Sequence, residues 1–178
     1  TAYIRAKGRA EETVREMDGD WTILRPSVVF GEGGEFISFT SLLTPPILAP
    51  LPGGGKTRFQ PIWVGDLVKM IGHVADDPTA HAGNTYEIGG PETLTLAEIA
   101  RTIRHSRGHP VKILPIPMTL ARMGLAIGEL IPGFPMGSDQ YESLKFDNTV
   151  DDNDAEKLGV ATNEMTRLSE YLKGEKTS

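Results

Sequence analysis

The chain predicts an α/β protein: part of a parallel sheet covered by helices, joined to a smaller mixed α/β lobe. Arg5 to Met17 is rich in Ala, Glu and Arg and reads as a helix closed by Asp18-Gly19-Asp20. Trp21 to Phe30 follows as a near-continuous apolar strand, ended by the glycine-rich Gly31 to Gly34. A helix feeding such a strand is the second half of a βαβ unit, and a strand apolar on both faces belongs in a sheet with helices on each side. With 39% hydrophobic and 24% charged residues, the 178-residue chain has the composition of a globular protein rather than a disordered one.

Pro26 cannot donate to a strand ladder, so Pro26 to Gly31 is expected to leave regular pairing and free its backbone groups for a ligand; an edge strand that tolerates a proline is the alternative. Ligands of such sheets sit beyond the carboxyl ends of the strands. Glu35 to Leu43 reads as a short helix. Thr44 to Pro52 holds four prolines and is expected to be a connecting loop over the ligand mouth. Asp66 is placed to cap a helix running to about Ala75, which Asp76-Asp77-Pro78 ends. Thr95 or Thr93 starts the next helix, with Glu98 at capping-box spacing from Thr95. Beyond Gly108-His109-Pro110, Val111 to Pro117 reads as a strand, Met118 to Leu130 as an apolar helix and Asn163 to Leu172 as a closing amphipathic helix. These elements divide the chain into residues 1–91, carrying the parallel sheet, and residues 92–178, a smaller lobe on the substrate side.

Tyr3 and Lys7 lie four residues apart at the head of the first helix, on one helical face. A free phenol has a pKa of ~10, too high for proton exchange near neutrality, and a neighbouring cation favours the phenolate. The pairing is therefore a route to a general acid/base. A second pair, Tyr141 and Lys145, runs into the acidic stretch from Phe146 to Asp152 with no strand after it to build a pocket, and is read as a decoy.

Further segments extend the pattern: Leu24-Arg25-Pro26-Ser27-Val28-Val29-Phe30-Gly31, then Phe59 to Asp66, then Thr85-Tyr86-Glu87-Ile88-Gly89-Gly90 followed by Thr93 to Ile99. In this order, and together with Tyr3 and Lys7, they resemble the short-chain dehydrogenase/reductase superfamily in its extended or atypical branch, over about residues 1 to 105. Trp21 to Ser27 and Leu51 to Pro61 look most like the subgroup that includes the nucleotide-binding accessory subunit of respiratory complex I. The resemblance implies the C-terminal part of a Rossmann-like domain that binds NAD or NADP. It assigns proton exchange to Tyr3, ribose binding to Lys7, and nicotinamide contacts to Pro26, Ser27 and Val28. Arg25 is either a ligand contact or a structural ion-pair member. The glycine-rich pyrophosphate turn and the upstream catalytic serine of that family are not found, so the chain is expected to be the C-terminal portion of a longer protein.

Rival motifs fail on their details. Gly54-Gly55-Lys56-Thr57 imitates the end of a phosphate-binding loop, but Pro50 stands where that loop needs glycine and the following segment reads as extended. His105 and His109 have metal-pair spacing, yet Gly108 interrupts the helix, and cationic capping of a helix end accounts for them without a metal. Gly124 and Gly128 form a small-residue motif in an apolar run that is too short and too charged to span a bilayer. With the complex I likeness, that run suggests a docking face for an oligomer or a membrane-bound complex. A net charge of −6 argues against nucleic acid, and zero cysteines exclude thiolate metal sites and suggest a cytoplasmic protein.

Two functions follow. One is an oxidoreductase or epimerase acting on a small-molecule substrate through the Tyr3–Lys7 pair. The other is a non-catalytic dinucleotide-binding accessory or regulatory protein.

Overall fold

A computed structural model describes residues 2–45, 47–128, 142 and 144–174. The α/β expectation holds. Helix α1 (Ala2–Arg15) leads into β1 (Thr22–Pro26), and β2 (Val29–Phe30) follows after a two-residue break. Then come α2 (Glu35–Leu43), β3 (Ile47–Pro52), a 3-10 turn at Gly53–Gly55, β4 (Arg58–Phe59), β5 (Ile62–Trp63), α3 (Val64–Asp76) and α4 (Pro78–His81). The second half holds β6 (Asn84–Ile88), β7 (Leu94–Thr95), α5 (Leu96–Ser106), β8 (Val111–Ile116), α6 (Met118–Gly128), 3-10 turns at Asp154–Leu158 and Thr162–Glu164, and α7 (Leu168–Gly174).

Pairing is mostly parallel, as the helix-strand alternation requires. β1 pairs with β6 from Thr22↔Asn84 to Pro26↔Ile88, β2 with β5, and β3 with β8, while β4 and β7 are antiparallel. Two apolar clusters support these pairs. Phe30, Leu51, Phe59, Ile99, Ile103 and Leu168 anchor one; Ile62, Met70, Ile88, Leu158 and Met165 anchor the other. Both draw residues from either side of residue 91.

Three local expectations need correction. Pro26 stays in register opposite Ile88, and the departure from the ladder is confined to Ser27 and Val28 before β2 pairs again. A proline at the last position of a short strand costs the ladder little. The segment from Thr44 to Pro52 is not a loop over the ligand mouth: its Ile47–Pro52 part is β3, paired along its length with β8. Pro50 and Pro52 are two residues apart, so their missing donors fall on the same unpaired side of the strand. Asp66 is not the cap of α3, because Trp63 occupies that position and Asp66 sits in the first helical turn. Its fully buried carboxylate accepts from Lys69 Nζ at 2.9 Å and from the Thr166 backbone N–H at 2.7 Å, tying the C-terminal segment to α3.

The capping box at α5 forms as expected. Glu98 N–H donates to Thr95 Oγ1 at 3.2 Å, and the Glu98 carboxylate accepts the Thr95 N–H at 2.8 Å. The closing helix begins at Leu168 rather than Asn163, after the 3-10 turn at Thr162–Glu164. Gly90 is required by contact: its N–H donates to Gln60 O at 3.0 Å, and a Cβ there would lie 1.7 Å from Pro61 O.

Candidate functional site

An open cleft of about 670 Å³ lies between α1 and the tips of the strands. Tyr3 and Lys7 line it from α1, and Pro26, Ser27 and Val28 line it from the carboxyl end of β1. The five residues singled out by sequence therefore share one concavity. Lys7 Nζ lies 5.5 Å from the centroid of the Tyr3 ring, a cation–π distance that follows from their spacing on the helix. Tyr3 is 63% exposed.

The strand tip is tightly organised. Ser27 N–H donates to Ile88 O at 2.8 Å, and Val28 O accepts Ile62 N–H at 2.9 Å. These two groups are thus engaged rather than free, against the expectation of an unpaired backbone. Ser27 Oγ donates to Asn148 O at 2.8 Å and lies 3.1 Å from Asn148 Oδ1. Asn148 also gives its own N–H to Arg58 O and accepts Gln60 N–H, so it locks the cleft floor to β4.

Arg25 is a structural ion-pair member. It meets Glu11 at 2.7 Å and Glu87 at 3.2 Å, pinning α1 to the β1–β6 pair. The hydrogen-bonded Arg25 guanidinium, helped by Arg15, holds the Glu11 carboxyl below its ordinary range, and Glu11 in turn raises Arg25. The opposite wall is apolar: Phe36 and Phe39 from α2, Phe59, Leu96 and Leu144. Sequence reasoning missed these and Asn148. Phe36 and Phe39 were visible as aromatic residues three apart on a helix after a glycine-rich turn; Asn148 carries no local signal.

The rival motifs resolve plainly. Gly53–Gly55 forms a 3-10 turn followed by β4, and not by the helix a phosphate loop needs. His105 lies in the last turn of α5 and His109 beyond it. Among the described residues no group of acids and histidines could hold a metal, and no helix is long and apolar enough to cross a membrane. Lys145 pairs with Glu142; its motif partner Tyr141 lies outside the described residues, as does Glu129 of the Gly124–Gly128 run's flank.

No family model matches the chain. The NADH dehydrogenase [ubiquinone] 1 alpha subcomplex subunit 9, mitochondrial, of Arabidopsis thaliana is 31% identical over 160 residues, 84% of this chain and 40% of that protein. The NADH-ubiquinone oxidoreductase 40 kDa subunit, mitochondrial, of Neurospora crassa is 32% identical over 124 residues, 63% of this chain and 31% of that protein. The chain thus spans well under half the length of these relatives. The fold matches a nucleoside-diphosphate-sugar epimerase of Pseudomonas aeruginosa at a TM-score of 0.67 and 19% identity, over 97% of this chain and 53% of that one. It also matches a human epimerase family protein solved with NADPH, at 0.63 and 22%, over 92% and 51%.

The cytoplasmic expectation is overturned, because the Arabidopsis, mouse and Neurospora relatives are mitochondrial proteins. Cysteine count reports redox environment, and reducing conditions are not confined to one compartment. The ordered motifs, the parallel strand pairs and these relatives agree with the resemblance read from the sequence: the chain is similar over 84% of its length to a mitochondrial complex I subunit, and its fold is that of epimerase-family proteins.

Proposed function

We propose that this chain forms the nicotinamide-side half of a cleft for NAD or NADP in a longer protein, with Tyr3 as acid/base and Lys7 as its partner. The observation that carries the reading is the convergence of Tyr3, Lys7, Pro26, Ser27 and Val28 on one cleft at the carboxyl end of a parallel strand. The residues fit the nicotinamide end of the cofactor: an ammonium and a phenol stand together on α1 and share the cleft with Pro26, Ser27 and Val28 at the carboxyl end of β1. A bound nicotinamide supplies or accepts a hydride at a substrate carbon.

The chain's own residues do the rest. The Tyr3 hydroxyl exchanges the proton with the substrate oxygen. Lys7 stands beside the phenol and would hold the ribose hydroxyls. The Arg25–Glu11 pair fixes α1 against β1 and so sets the distance between Tyr3 and the strand tip. Ser27, clamped by Asn148 and Ile88, would hold the nicotinamide end of the cofactor together with Pro26 and Val28.

Titration of the full-length protein with NADH and NADPH, followed by nucleotide fluorescence, tests this. Saturable binding of one of them, weakened at least tenfold by Lys7→Met, is expected. Failure to bind either nucleotide overturns the reading.

The complex I relatives favour a second reading, in which the bound dinucleotide is structural or regulatory in a mitochondrial protein docked on a respiratory assembly. Binding with no turnover, unchanged in Tyr3→Phe, selects it.

A further inference from the structure

The cleft wall opposite Tyr3 has a chemistry of its own. Phe36, Phe39, Phe59, Leu96 and Leu144 form it, with Phe59, Leu96 and Leu144 buried. The Phe36 and Phe59 rings lie 6.2 Å apart at 53°, a tilted pair that presents faces and edges to a flat guest. The polar neighbours at this end are uncharged, Thr40 and Asn148.

The described charged residues lining the cleft are Lys7, Glu11 and Arg25. Arg25 is shared between Glu11 and Glu87, so its charge is already matched. Lys7 lies on the Tyr3 side, against the phenol ring. None of the described residues that form the aromatic wall carries a charge, so a diphosphate placed against it would lose water with no cation of the wall to receive it, and such desolvation is costly. An apolar ring would gain by the same burial.

We propose that the substrate side of this cleft takes an uncharged, ring-bearing carbonyl compound or its alcohol, and not a nucleoside-diphosphate sugar. The proposal rests on the reading of Tyr3 as the proton-exchanging group, which orients the carbonyl oxygen toward α1 and the ring toward Phe36, Phe39 and Phe59.

The test uses full-length protein without added cofactor, titrated calorimetrically with 2-acetylnaphthalene and, separately, UDP-glucose. The ketone is expected to bind, to weaken at least tenfold in Phe36→Ala and in Phe39→Ala, and to resist displacement by excess UDP-glucose. In the unaltered protein with ring-labelled phenylalanines, the ketone is expected to shift the Phe36 and Phe39 resonances, a readout independent of how the variants fold. No ketone binding, displacement by UDP-glucose, or unmoved Phe36 and Phe39 signals overturns the proposal. Because the titration omits NAD and NADP, loss of nucleotide binding in the experiment above defeats the cofactor reading separately.

Discussion

Arg25 grips Glu11 with two nitrogens, Nε to Oε1 at 2.9 Å and Nη2 to Oε2 at 2.7 Å. Glu11 lies one helical turn beyond Lys7 and two beyond Tyr3, so this fork fixes the helix that carries both to the strand that carries Pro26. The other tethers described for α1 are slighter: Arg15 reaches Thr85 Oγ1 at 3.4 Å and lies 5.9 Å from the Trp21 ring.

The pair makes a pH prediction. Arg25 holds the Glu11 carboxyl below its ordinary range, so the folded state binds that proton less readily than the unfolded chain. The contribution is full above the ordinary glutamate value of ~4.3 and is lost as pH falls through the depressed folded value. Glu11→Gln should cost about 0.5–1 kcal/mol at pH 7, since the Arg25 side chain is partly solvated. Urea unfolding of both proteins at pH 7 and pH 3 checks this: the gap should narrow at pH 3, and an equal gap at both would contradict it.

Asp66 predicts a larger effect. Its buried carboxylate joins α3 to Thr166 across the chain while Lys69 supplies the charge. Asp66→Ala leaves the Thr166 N–H without its acceptor and should destabilise by about 2–4 kcal/mol. Hydrogen exchange at Thr166 should accelerate with it. An unaltered Thr166 exchange rate would show that this tie does not hold the segment.

Two glycines should respond in opposite directions. Gly90→Ala drives a methyl into Pro61 O and should cost about 3 kcal/mol or more, because backbone rather than a flexible side chain must move. Gly8, inside α1, has nothing within 4 Å of its missing Cβ. Gly8→Ala should therefore stabilise by about 0.5–1 kcal/mol through helix propensity. Thermal unfolding of the two variants measures both signs.

How much of this could be read from sequence depended on distance along the chain. The helix at Ala2–Arg15, the strand at Thr22–Pro26 and the Thr95–Glu98 capping box carry their causes within a few residues, and they lie close to where the pattern places them. The juxtaposition of Tyr3 and Lys7 on that helix was legible for the same reason. The strand Ile47–Pro52 was hidden because its prolines speak locally against a strand, while the partner that makes it one, Val111–Ile116, lies in the other half of the sequence. Asp66 announces a helix start, but its role as a tie to Thr166 depends on a fold no local window contains. Asn148 is the extreme case: it meets Ser27 across 121 positions, within a stretch read from sequence as acidic with no strand after it.

In the proposed function the Tyr3 hydroxyl moves the substrate's proton in a cleft where Lys7 and the β1 tip hold a dinucleotide. Steady-state turnover of the full-length protein, wild type against Tyr3→Phe, with nucleotide affinity measured on the same samples, tests it most directly. Tyr3→Phe is expected to lower kcat by about 10²–10⁴-fold, the usual worth of a positioned acid/base, with nucleotide affinity unchanged. Equal turnover by the two proteins would contradict it.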